Sequence, residues 1–137
     1  MDWITDDILI GNYLDAQDLD SIQGEGVRSI IGLNGESYRL DYLAHGVTET
    51  KVFDLIDGAG NDPAVFLRAV DTLKHYRHSN APVLVHCHAG KSRSVTVVAV
   101  HLMRDLGMSL IEAMELISSR RDIHITPGMQ EALDFHL

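Results

Sequence analysis

A three-layer α/β domain, with a central, mostly parallel sheet of four or five strands flanked by helices, is predicted by three observations. Short apolar runs of strand length alternate with longer segments whose apolar residues recur at helical spacing, the pattern of strands joined by crossover helices. The run Val83-Leu84-Val85 is apolar at every position, as a central parallel strand buried on both faces must be. Beyond it two or three helical segments follow one another with no further strand, which closes the sheet before the chain ends. The 137 residues contain no internal repeat, low-complexity tract or linker, and a single domain spanning residues 1–137 is expected.

The elements are justified in order. Around Val52-Phe53-Asp54-Leu55-Ile56 the chain reads as a strand, followed by the Gly-rich turn Asp57-Gly58-Ala59-Gly60-Asn61. Before it, the irregular stretch from Gly35 to His45 is read as a surface segment near the site, in which Tyr38, Arg39 and Tyr42 contact ligand or belong to a short, partly buried helix. Asp62 and Pro63 then suit an N-cap and the first position of a helix whose Phe66, Ala69, Val70, Leu73 and Tyr76 recur on one face. The strand Val83–Val85 leads through a short loop into an apolar helix from Val95 to Leu106, ended by Gly107. Ser109 and Glu112 have the spacing of a capping box, opening a helix expected to bury Leu110, Ala113, Met114 and Ile117. Thr126-Pro127 begins a short terminal helix that packs Met129, Leu133 and Phe135, with Gln130 on the surface rather than positioning water.

The loop between the Val83–Val85 strand and its helix concentrates the chemistry. His86-Cys87-His88-Ala89-Gly90-Lys91-Ser92-Arg93-Ser94 places a cysteine at a strand end and an arginine at the start of the next helix. Successive backbone N–H groups of such a loop form a nest for an anion, and the helix dipole adds to it. The thiolate is the nucleophilic form of cysteine, and a helix N-terminus beside a cation favours it, so Cys87 is expected to react as thiolate. Arg93 presents a planar fork that matches two phosphoryl oxygens, which a lysine cannot do. His88, Ala89, Gly90, Lys91, Ser92 and Arg93 are thus the expected substrate-binding residues, with Gly90 letting the backbone turn and approach the ligand. Ser94 is placed to donate to the sulfur when it departs, and His86 to hold the loop by ring hydrogen bonds.

A thiolate does not expel an alkoxide efficiently without a proton donor, a group worth about 10²–10⁴ in rate. Asp57, at the mouth of the Gly-rich turn, is the expected general acid and later general base. Asp54 reads as a strand residue and Asp62 as a cap, leaving Asp57 for the role.

His86-Cys87, five residues, Arg93 and Ser94 resemble the active-site motif of the dual-specificity branch of the protein tyrosine phosphatases. Ile8-Leu9-Ile10-Gly11-Asn12 followed by Asp15-Ala16-Gln17 resembles that family's opening strand and first helix, and Gly26 to Asn34 its second strand. The resemblance implies a phosphatase-like fold and a two-step reaction through a cysteinyl-phosphate. It further implies phosphotyrosine, with phosphoserine or phosphothreonine, in protein substrates, and an Asn34 that braces the phosphate loop. Ala89-Gly90-Lys91 and the segment Arg120 to Pro127 also resemble lipid-directed relatives, which makes phosphoinositide or phosphatidylglycerophosphate the alternative substrate. Against this, His88 stands where those relatives carry a lysine, and a neutral imidazole contributes little to a charged head group. A rhodanese-like or arsenate-reducing loop would not need Asp57, and a non-catalytic phosphate-binding module would not need Cys87.

Composition sets the remaining expectations. Eleven Lys and Arg against twenty Asp and Glu give a net charge of −9, unfavourable to nucleic acid and to anionic bilayers, though Lys91, Arg93, Arg120 and Arg121 form a local basic patch. The first residues lack the basic and apolar regions of a signal peptide, and no window has the length of a membrane span, so a cytoplasmic protein without stable membrane insertion is expected. A single cysteine excludes an intramolecular disulfide. Eight histidines include His86-x-His88, but no carboxylate or cysteine set completes a metal site, and neither metal nor cofactor is expected. The fixed positive groups of the loop do the work that metal ions do in kinases.

Overall fold

A computed structural model describes all residues from Met1 to Leu137. Five strands, β1 (Asp2–Trp3), β2 (Ile8–Gly11), β3 (Ser29–Gly32), β4 (Glu49–Val52) and β5 (Val83–His86), form one sheet in the order β1-β2-β5-β3-β4. Its helices are α1 (Leu19–Gly24), α2 (Pro63–Ser79), α3 (Arg93–Leu106) and α4 (Leu110–Arg120), with 3₁₀ turns at Asp15–Gln17, Leu43–His45 and Met129–Asp134. The predicted three-layer α/β class is the observed one.

Alternation along the central strands builds the layers. Successive side chains of a strand point to opposite faces. Ile8, Ile10, Ile31, Val83 and Val85 join α2, α3 and α4 in one core, while Leu9, Ile30 and Leu84 meet Ile22, Val27 and Val47 on the other. β5 lies between β2 and β3 and runs parallel to both, with Leu84 opposite Leu9 on one side and Ile30 on the other. All four of its residues are buried, as the Val-rich run requires. The loop carrying the chemistry therefore leaves the C-terminal end of the central strand, the position open α/β sheets use for ligands.

α2 starts at the expected place, with Asp62 accepting from the Ala64 N–H at 2.9 Å and Pro63 at the first turn. A cap of this kind stabilises by about 1 kcal/mol. The whole expected face, Phe66, Ala69, Val70, Leu73 and Tyr76, is buried. α3 ends on Gly107, whose φ of 71° is the left-handed conformation a helix C-terminus favours. α4 carries both bonds of the Ser109–Glu112 capping box.

Four expectations need correction. The strand near Val52 is not Val52–Ile56 but Glu49–Val52, an exposed sheet edge whose Glu-Thr-Lys-Val sequence has no apolar period to reveal it. Phe53 and Leu55, which suggested the strand, are buried just beyond it, where their N–H groups donate to Gly32 and Leu33 carbonyls. In α4 the buried residues are Ala113 and Ile117, whereas Leu110 is 44% exposed and Met114 half-buried. Asp15-Ala16-Gln17 forms one 3₁₀ turn, and the first α-helix follows it, capped by Asp18. The terminal segment is 3₁₀ rather than α, although Met129 is buried and Phe135 packs edge-on against Phe66.

Candidate active site

Cys87 follows β5 directly and is buried, its Sγ 3.2 Å from the Ser94 hydroxyl in the first turn of α3. Strand and helix thus bring together two residues that flank the loop in sequence. Around them lies a cavity of about 110 Å³ lined by Asp57, Cys87, Ala89, Lys91, Ser92, Arg93, His124 and Thr126. Asp57 lines the same cavity as Cys87; Asp54 does not line it but pairs with Asn34 in an isolated bridge beside Gly35. A larger hollow of about 450 Å³ between β4 and α2 holds no nucleophile, so size does not mark the chemistry here.

The loop carbonyls explain the cavity's character, because each is held by a partner. The Cys87 carbonyl faces the His86 Nδ1 at 3.3 Å, and that of His88 accepts from the Tyr13 N–H at 2.9 Å. Arg121 donates to Gly90 (2.7 Å) and, at longer range, to Ala89 (3.5 Å). The His124 N–H donates to the Lys91 carbonyl at 3.0 Å. These peptide bonds are trans, so each carbonyl and the following N–H point in opposite directions. Turning five carbonyls outward turns the N–H groups of residues 88–92 inward, and none of them donates to an acceptor in the chain. Arg93 donates through Nη1 to the Leu55 carbonyl at 3.3 Å, while its buried Nε has no partner. A cluster of donors with nothing to donate to, above a thiol, is a receptor for an oxyanion.

The support of this loop is legible residue by residue. Burial pushes the His86 imidazole below its ordinary range, with the Cys87 carbonyl opposing, so near neutral pH the ring is uncharged and its Nδ1–H is free to donate to that carbonyl. Gly90 has a φ of 70°, and a Cβ there would lie 2.5 Å from both the Arg121 Nη2 and the Gly11 carbonyl oxygen. The close approach that selects glycine is therefore to β2 and Arg121, a correction to the expectation that it serves the ligand. Asn34 does not reach the loop; its amide donates to the Tyr38 hydroxyl at 3.3 Å and its Oδ1 accepts from Glu36. Tyr38 in turn lies tilted against His86, whereas Tyr42 is tied to the Ala16 carbonyl, away from the cavity.

Asp57 stands at the mouth of a turn that is laced rather than loose. Asn61 accepts from the Ile56 N–H and donates to the Ile56 and Gly58 carbonyls, and Gly60 donates to the Glu131 carboxylate at 2.6 Å. At the rim, Lys91 pairs with Asp122 at 3.2 Å, and His88 stacks face to face on Tyr13, with centroids 4.4 Å apart. Gln130 is exposed and bonds the Gly128 N–H. Tyr13, just beyond β2, carries no local pattern that marks it, whereas His124 and Thr126 lie in the segment from Arg120 to Pro127 singled out by resemblance, without a role in the site being read from it. No three His, Cys, Asp or Glu side chains gather in a metal-holding arrangement.

The profile of the dual specificity phosphatase catalytic domain matches residues 11–133. The chain belongs to this family. Human dual specificity protein phosphatase 9 is 31% identical over 136 residues, covering 96% of this chain and 35% of that protein. Among solved structures, human DUSP28 superposes with a TM-score of 0.84 at 21% identity, covering 99% and 94% of the two chains. PTPMT1 in complex with PI(5)P superposes at 0.75 with 27% identity, covering 97% and 92%. The chain spans only 13% to 35% of the length of several curated relatives it matches. The loop from His86 to Ser94, Asp57 and Asn34 lie inside the matched span, whereas β1 and all of β2 but Gly11 precede it.

Proposed function

We propose that this chain is a cysteine-dependent phosphatase of phosphotyrosine, and of phosphoserine or phosphothreonine, in proteins. The observation that carries this reading is the set of inward, acceptor-free N–H groups of residues 88–92 together with the unpartnered Arg93 Nε. In the first step the Cys87 sulfur forms a bond to phosphorus while the bond to the leaving oxygen breaks, and the Asp57 carboxyl gives that oxygen its proton. The loop amides and the Arg93 fork hold the equatorial oxygens, whose charge grows toward the transition state. In the second step the Asp57 carboxylate takes a proton from water, the water oxygen bonds phosphorus, and the sulfur departs as thiolate. Ser94, 3.2 Å from Sγ, donates to it as the charge returns.

Family membership supports protein substrates, and the rim supports them over lipid. At the rim Lys91 is paired with the exposed Asp122, and His88, which stands where lipid-directed relatives carry a lysine, is stacked on the Tyr13 ring. The PI(5)P complex of PTPMT1 keeps the lipid reading in the test. No helix is long and apolar enough to cross a membrane. With the net charge of −9, this supports a cytoplasmic domain, spanning residues 1–137, that meets phosphoproteins rather than bilayers or nucleic acid.

The test is phosphate release, in excess chelator, from phosphotyrosine peptide, phosphothreonine peptide, phosphoinositide and phosphatidylglycerophosphate, with Cys87→Ser as blank. Peptide turnover well above lipid turnover is expected. The reverse order would move the assignment to lipid, and release from no substrate would leave a phosphate-binding module.

A further inference from the structure

We propose that Arg121 is a positioning residue for the anion loop: with Asp2 behind it, its guanidinium fixes two adjacent loop peptides so that their N–H groups meet the phosphoryl group. The inference rests on the phosphatase reading of the loop and assigns a determinant of its geometry outside the signature sequence.

Arg121 follows α4 and lies far from Cys87 in sequence, yet its side chain is only 11% exposed. Its donors are spent in one place. Nε donates to the Gly90 carbonyl at 2.7 Å and Nη2 reaches the Ala89 carbonyl at 3.5 Å. Nη1 donates to the Ile10 carbonyl of β2 at 3.3 Å and to the Asp2 carboxylate of β1 at 2.9 Å. One rigid fork therefore joins the loop to the two strands at one edge of the sheet. Held carbonyls at 89 and 90 direct the N–H groups of Gly90 and Lys91 the other way, into the cavity. The remaining loop carbonyls from 87 to 91 are held by a ring nitrogen or by single backbone N–H groups, so Arg121 is the one charged support and the one that sets two peptides at once.

Residue type matters at both partners. A guanidinium carries its donors in a fixed plane, whereas a lysine at 121 could serve one carbonyl or Asp2 but not all of them. Gly90 is the complement: a Cβ there would occupy the space of the Arg121 Nη2. Asp2 fixes the far end of the fork and balances its charge, so the outermost strand, remote from the chemistry in sequence, bears on the loop.

The experiment compares wild type, Arg121→Ala, Arg121→Lys and Asp2→Asn for kcat and KM on an aryl phosphate. Tungstate affinity is measured in parallel by calorimetry, with folding checked by circular dichroism and thermal melting. Misplacing part of an oxyanion site costs on the order of 10²-fold in kcat/KM, and losing one charge-assisted contact about tenfold in affinity. Arg121→Ala is expected to show both losses in folded protein, Arg121→Lys to recover part, and Asp2→Asn to lose a fewfold. A purely structural arginine would lower the melting temperature while leaving KM and tungstate affinity of the folded fraction unchanged; that result overturns the inference. If Arg121→Ala does not fold, the same split is read from Arg121→Lys and Asp2→Asn. Failure of the phosphatase reading is distinct: wild type would release no phosphate, while the tungstate comparison would still report on the loop.

Discussion

At the C-terminal end of α3, His101, Arg104 and Asp105 satisfy one another; at its N-terminal end, the groups around Cys87 and Arg93 are left waiting. Asp105 accepts from the His101 Nδ1 at 2.9 Å and from the Arg104 Nε and Nη2 at 3.1 and 3.0 Å, while Arg104 also reaches Asp71 of α2 at 2.8 Å. That cluster fastens α2 to α3, with Lys74 also 3.7 Å from Asp105, and among its buried side-chain atoms only the His101 Nε2 lacks a partner. The loop at the other end spends its carbonyls on neighbours and keeps its N–H groups and the Arg93 Nε free. An unmatched buried donor costs about 1–3 kcal/mol. A fold keeps several of them together where a ligand's oxygens complete them, and their convergence on Cys87 separates a site from a brace.

The sharpest break of this comparison is at the nucleophile. Cys87→Ser is expected to reduce turnover to background while tungstate still binds, because the amide nest and Arg93 remain. Near wild-type turnover in that variant would remove Cys87 from the mechanism. Next comes Arg93→Lys. It keeps a charge and loses the fork, and a loss of about 10²–10³ in kcat is expected, the usual consequence of removing one oxyanion donor. A loss of less than about tenfold would mean that the amides alone define the receptor.

Asp57→Asn tests the proton rather than the anion. General acid catalysis is worth about 10²–10⁴, and the full loss is expected only with alkyl or poorly activated phosphates. An aryl phosphate with an acidic leaving group should be nearly indifferent in its first step. Asp54→Asn serves as the contrast, since Asp54 sits beside Gly35 outside the cavity. Equal losses from Asp54→Asn, and none from Asp57→Asn, would transfer the acid role.

The two regions also differ in what the sequence reveals. The loop was legible because its residues are contiguous: strand, cysteine, arginine and helix follow in a single run, and their local geometry is dictated by the elements on either side. The α/β class and the face of α2 were legible for the same reason, through period and caps. What escaped reading depends on contacts made across the fold. The edge strand β4 pairs through backbone groups that impose no apolar pattern on Glu49, Thr50 and Lys51. Tyr13 reaches His88, and His124 the cavity around Cys87, only because separate connections converge at the end of β5. His101 was hidden most fully, since it lies inside an apolar helix that reads as core and is core, with its partner one turn further on.

That hidden histidine gives the smallest expected effect and the most direct test of the brace. Burial pushes His101 below its ordinary value of 6.5, against the opposing bond to Asp105. Burial alone would raise Asp105, but bonds from Arg104 and His101 outweigh it and hold the carboxyl low. The native pair is thus a neutral imidazole donating to a carboxylate. Between the lowered value and about 6.5 the unfolded chain binds a proton at this histidine that the folded chain does not. Its contribution is therefore fully present above pH 6.5 and is lost as pH falls below it, with a slope of at most about 1.4 kcal/mol per pH unit. His86, lowered by burial in the same direction, adds its own share at the other end of α3. Denaturant melts from pH 7.5 to 5 should lose stability on acidification, and His101→Gln should flatten part of that loss without flattening the share that belongs to His86. Should the His101→Gln profile parallel wild type, His101 binds its proton alike in both states and the lowered value is overturned; a share of stability gained on acidification and lost in the variant would make the brace an ion pair instead.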